Sequence, residues 1–149
     1  MKTVIIATIV AAPLLFPFLE AWKDIWMWRE FSGTAKNNAH PNANKMWHIN
    51  DAMRQALFFV MLWALHYCVY GSIVIAVVYT VAMMFWFWLV NDALINVFGL
   101  GKPADYIGNT ALTDRMLRKL FGEGAGLALV VIKAGAFLLL FVYSAVQMF

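Results

Sequence analysis

From Ala56 to Val90 the chain carries no Asp, Glu, Lys or Arg, a run of 35 residues. A helix of about 20 residues crosses the ~30 Å hydrocarbon core of a bilayer. The run is therefore too long for one crossing and suits two, joined tightly at Tyr70-Gly71-Ser72. The rest of the composition agrees. Apolar types make up 64% of the 149 residues and charged types 13%. Soluble domains hold about 25% charged residues, because a surface in water must be polar. Lipid is the solvent that suits this chain.

Extending the pattern outward predicts an all-α integral membrane protein, one domain over 1–149, with four transmembrane helices at about 3–22, 50–69, 72–98 and 125–148. The first apolar run holds Pro13 and Pro17, each of which removes a backbone donor and favours a kink. It reads as a retained helix, since Phe18-Leu19-Glu20-Ala21-Trp22 offers no small-x-small cleavage site. Lys23 to Arg54 is polar, with a Trp-rich segment suited to the headgroup level and then a loop over Ser32 to Lys45. Asn50-Asp51 marks the start of the second helix, a capping residue followed by an acid. Gly99, Gly101 and Pro103 end the third. A separate amphipathic surface helix is expected over about 110–121, with Leu112, Met116, Leu117 and Leu120 on one side and Arg115, Arg118 and Lys119 elsewhere on the wheel.

Four crossings put both termini on one side. The two long connections carry Lys23, Arg29, Lys36, Lys45, Arg54, Lys102, Arg115, Arg118 and Lys119, against Lys2 alone on the other face. The positive-inside rule then places the connections in the cytoplasm and both termini outside, in a bacterial inner membrane or a viral membrane. The basic residues Arg115, Arg118 and Lys119 face lipid, and no nucleic-acid partner is expected.

Lys133 is the residue with the most chemistry to explain. It lies eight positions into the last helix, roughly 12 Å deep at 1.5 Å per residue. An unpaired ammonium at that depth costs several kcal/mol. Asp92 lies roughly 9 Å from the matching end of the antiparallel third helix. An intramembrane Asp92–Lys133 pair is expected, with Asn91 and Asn96 as neighbours. A second group, His40, His48 and Asp51, has the donor types of a zinc or iron site, although hydrogen bonding and helix capping account for the same residues. His66 lies within the second helix without a second intramembrane histidine, so a packed, hydrogen-bonded role is expected. Cys68 is alone, which excludes an intrachain disulfide and a CxxC pair. No cofactor other than lipid is predicted.

The stretch Trp88-Leu89-Val90-Asn91-Asp92 through Gly101-Lys102-Pro103, then Tyr106-Ile107-Gly108-Asn109-Thr110-Ala111 and Asp114-Arg115, resembles small uncharacterised polytopic membrane proteins of bacterial and phage genomes. Those proteins share no agreed activity, so the resemblance implies a membrane fold and assigns no role to any residue. Three functions follow from the residues themselves. The first is a non-catalytic structural or accessory component of a membrane assembly, partnered by other subunits or by itself. The second is a small homo-oligomeric channel, transporter or holin-like permeabiliser using Asp92 and Lys133. The third is a metal-dependent membrane enzyme. The direction in which Asp92 and Lys133 point discriminates the first two: a closed pair suits structure, a cavity suits transport.

Overall fold

The computed structural model describes residues 10–26, 41–107 and 112–148, without the side chains of 41–48, 50, 112, 113 and 148. All the regular structure described is helical. Helix α1 covers 10–26, α2 Pro41–Tyr70 and α3 Ile73–Leu94. A π-helical turn, Ile95–Gly99, continues α3. Helix α4, Leu112–Phe121, passes through a 3-10 turn at Gly122–Gly124 into α5, Ala125–Met148.

Two residues reverse the chain between α2 and α3. Gly71 sits at φ +71°, a left-handed conformation that a residue with a Cβ resists, and its N–H still bonds to the Tyr67 carbonyl at 2.7 Å. Ser72 then caps α3 by accepting from the Ile75 N–H at 3.4 Å. Helix α3 is central and packs against both α2 and α5. Its buried stripe, Ala76, Tyr79, Thr80, Met83, Phe87 and Asn91, follows the three-to-four-residue helical repeat. Tyr79, Met83 and Phe87 meet Phe59 and Leu62 of α2 in the core, and Phe137 and Phe141 of α5 close it.

Helix α1 joins this core through Phe16, stacked 3.9 Å from the Phe58 ring and 5.4 Å from Phe87. Pro13 and Pro17 are fully buried. Trp86 Nε1 donates to the Leu14 carbonyl at 3.2 Å, next to the Pro13 carbonyl, which Pro17 leaves without its helical donor. The outward faces are apolar: Leu57, Val60 and Met61 on α2, Val74 and Val77 on α3, Leu138, Leu139 and Val146 on α5 are all exposed. A surface of that kind faces acyl chains.

The expected four crossings plus a separate amphipathic helix are corrected. Among the described residues three helices are long and apolar enough to cross: Asp51–Tyr70, Ile73–Gly99 and Asp114–Gln147. The described part of α1 is seventeen residues (10–26), roughly 25 Å at 1.5 Å per residue, and its second half carries Glu20, Lys23 and Asp24. The amphipathic segment is continuous with the last crossing, which runs for 34 residues. The second crossing, Asp51–Tyr70, agrees with the expected 50–69, but the helix itself starts before Asn50-Asp51: α2 runs from Pro41, since proline suits the first helical turn, and its polar first third hid the extension. With three crossings among the described residues, the parity behind the placement of both termini on one side is lost.

Phe87 is 1% exposed and touches rings on two other helices. Phe87→Ala is expected to cost roughly 3–5 kcal/mol. Leu139→Ala, at a residue 75% exposed, should be near neutral. Unfolding by a denaturing detergent titrated into mild micelles measures both.

Candidate functional site

Asp51, at the start of the α2 crossing, Gly99, at the end of the π turn that continues α3, and Ala125, at the start of α5, share one end of the bundle, because successive crossings run antiparallel. The polar chemistry collects there in two groups.

The first group lies between α3 and α5. Lys133 Nζ donates to Asp92 Oδ2. The two ends of this pair differ in exposure: the lysine side chain is 13% exposed and the aspartate 52%. Both residues line a cavity of about 210 Å³. The wall opposite them is the connection after α3, folded back on the bundle. Asn96, on the π turn, fixes it by donating from Nδ2 to the Ala104 carbonyl at 3.1 Å and the Tyr106 carbonyl at 2.8 Å. The Lys102 N–H returns a bond to the Asn96 carbonyl at 2.8 Å. A π turn redirects side chains by about one position and is common at functional sites. Gly126 makes the fold-back sterically feasible, since a Cβ there would lie 1.9 Å from the Asp105 carbonyl oxygen. Arg118 of α4 donates to the Ile107 carbonyl at 2.7 Å and fastens the far end. Asp105 and Asp114 thereby join Asp92 in the cavity wall.

The second group lies between α1 and α2. Glu20, Lys23 and Asp24 share one face of α1, and Asp51, Arg54 and Gln55 share one face of α2, each set at i, i+3, i+4. Lys23 Nζ contacts Glu20, Asp51 at 2.9 Å and Asp24 at 3.1 Å. Arg54 pairs with Asp51 and reaches Glu20 at 3.2 Å. Gln55 Nε2 donates to Asp51 Oδ2 at 2.8 Å. Glu20 and Asp24 are buried. The Asp24 Oδ1 atom is close to Lys23 in distance, yet it lacks an aligned donor, so it keeps the charge attraction without a well-formed hydrogen bond. Burial pushes the Asp24 carboxyl up, and Lys23 offsets this only in part. Burial also pulls the Lys23 ammonium down, but hydrogen bonds to Glu20 and Asp51 and the close charge of Asp24 outweigh it and hold its pKa above the usual 10.5.

The remaining expected site residues fall in different places. Asn96 lies in the cavity wall, whereas Asn91 is buried outside it, with Oδ1 meeting no donor among the described residues. His40 and the His48 side chain lie outside the described residues, and Asp51 is committed to Lys23, Arg54 and Gln55. The three carboxylates Glu20, Asp24 and Asp51 offer oxygens within 4.8 Å of one another. His66 is fully buried, its ring 4.5 Å from Tyr79 and 4.6 Å from Tyr70. Arg115, Arg118 and Lys119 are exposed on α4. The sequence reading missed the α1–α2 group, although the repeated charged spacing on the two segments was its signal. Comparison with family models, curated proteins and solved structures finds no match to this chain.

Lys23→Met should destabilise the fold by roughly 3 kcal/mol at neutral pH, the lower end for breaking a buried pair because Lys23 is partly solvated. The loss should shrink as pH falls and the stranded carboxylates take up protons. In the unaltered chain the two raised groups set opposite limits. Lys23 contributes stability below pH 10.5, lost as pH climbs through its raised folded value. Asp24 holds its proton to higher pH when folded, so its contribution is largest below the usual 3.8 and declines as pH rises through the raised value. Thermal unfolding in mild detergent across pH measures both trends.

Proposed function

We propose that this polytopic all-α membrane protein is a small channel or transporter for cations, working as a homo-oligomer. The observation that carries the reading is the position of the Asp92–Lys133 pair: it forms part of a cavity wall, with Asp92 half exposed, instead of closing within a packed helix interface. Conserving membrane stability alone does not require a carboxylate with a free flank, and an intramembrane ionisable residue beside a cavity marks an ion or proton path. That geometry favours transport over a purely structural or accessory role. The acidic character of both groups at one end favours cations. The three crossings among the described residues are too few to surround a wet path, which is why a homo-oligomer is part of the proposal. The basic connections support a cytoplasmic position for this end by the positive-inside rule.

Proteoliposomes loaded with a pH- or potassium-sensitive dye test the reading. The unaltered chain should pass protons or monovalent cations under an imposed gradient, and Asp92→Asn should lower the flux by at least about tenfold, the loss of roughly 1.4 kcal/mol or more of favourable interaction along the path. Vesicles as tight as protein-free controls would contradict it.

The carboxylates within 4.8 Å of one another support a second reading, a metal-dependent membrane enzyme using Glu20, Asp24 and Asp51. Three carboxylate oxygens suit a hard divalent cation such as Mg²⁺ or Mn²⁺, in competition with Lys23 and Arg54. Mn²⁺ bound at one per chain and lost in Glu20→Gln supports this reading; a chain that binds no added Mn²⁺ excludes it.

A further inference from the structure

Three observations bear on what the cavity holds. The first is charge. Asp92, Asp105 and Asp114 line it, with Lys133 as the sole cation of its wall among the described residues. Lys133 is spent on Asp92. Arg118 and Lys102 approach from outside, but Arg118 donates to the Ile107 carbonyl and Lys102 lies over the Tyr106 ring, 5.8 Å from its centre. No ion pair engages Asp105 or Asp114 among the described residues, so the lining holds two acids without a fixed counter-charge there.

The second observation is spacing. Among the described residues, the carboxylates that converge closely enough for a metal ion are those of α1 and α2, and the three in the cavity do not. A single metal ion would therefore not gather all three of these carboxylates. A space of about 210 Å³ is several times the ~30 Å³ share of a water molecule, which suits a cation with a body. The third is the mixed wall. Leu89 and Leu129 line the same cavity, so its wall offers apolar contact as well as charge. A wall of carboxylates and leucines suits an amphipathic cation.

We infer that the cavity between α3, α5 and the folded-back connection binds an organic ammonium, its charged head between Asp105 and Asp114 and its hydrocarbon part against Leu89 and Leu129. The inference rests on the cation-transport reading for its biological sense, and names the class of cation. The head group of an aminophospholipid and a free alkylamine both present this chemistry. The cavity lies where either can enter, at the end of the bundle that carries the polar connections.

The test uses the full chain in dodecyl maltoside micelles, which contain no amine, with butylammonium as probe and calorimetry or ligand-observed NMR as readout. Saturable one-to-one binding is expected, with none for butanol, the neutral analogue. Asp105→Asn and Asp114→Asn should each weaken binding by about tenfold, the loss of one charge-assisted contact. Neither residue belongs to the packed core, so helicity by circular dichroism should be unchanged. Phosphatidylethanolamine added to the micelles separates the sources: competition identifies a lipid head group, and undiminished binding identifies a free amine. Absence of saturable binding, equal binding of butanol, or affinity unchanged in both variants would overturn the inference. Ammonium binding without cation flux in vesicles leaves this site standing and removes the transport reading; flux without ammonium binding does the reverse.

Discussion

An ammonium carried into the apolar span of α5 must find a counter-charge, and this requirement organises one end of the molecule. Lys133 meets it with Asp92 across the interface between α3 and α5, one of the main packing surfaces of the bundle. Pairing a charge in a low-dielectric setting is necessary because solvation is absent there. It does not require a cavity. The cavity comes from the connection after α3, which turns back at Gly101 (φ +61°) and lies against Gly126. Asn96 ties it down with two side-chain bonds. A connection that simply left the membrane would have left Asp92 facing lipid headgroups.

The opposite design appears between α1 and α2. There five charged side chains form a dense, partly buried network around Lys23 and Arg54. One turn away, toward the membrane interior, Phe16, Phe58 and Phe87 stack. Positions four residues along from these rings, toward the polar end, are Glu20, Arg54 and Asn91. An aromatic layer and a polar layer therefore succeed one another across three helices. The network fixes the register of α1 on α2 through directional contacts, which apolar packing in lipid does less sharply.

Much of the fold was legible because it follows from local rules. The uncharged run from Ala56 to Val90 demanded two crossings, and Gly71-Ser72 supplied the turn and cap that divide them. Depth arithmetic brought Asp92 and Lys133 to the same level without any knowledge of packing. What failed depended on context. The first apolar run was counted as a crossing, although Glu20, Lys23 and Asp24 shorten its apolar part and find partners on α2. Asp51 resembled a helix cap because its true role needs α1 beside it. Pro41 lies in a segment too polar for hydrophobic periodicity to register as helix, yet α2 starts there. The cavity was the least legible feature, since nothing in the spacing of Asn96, Asp105 and Gly126 announces that a loop folds back.

The central claim is that the Asp92–Lys133 pair borders a space open to water-borne ions. Cysteine accessibility addresses it directly, in a Cys68→Ser background that removes the exposed native thiol. Asp92→Cys should react with a charged, membrane-impermeant methanethiosulfonate at a rate close to that of Asp105→Cys, which lines the same cavity. Ala82→Cys, at a fully buried position of α3, should stay unmodified. A cysteine at position 92 as protected as the one at position 82 would contradict the account, leaving the pair a closed tie between two helices.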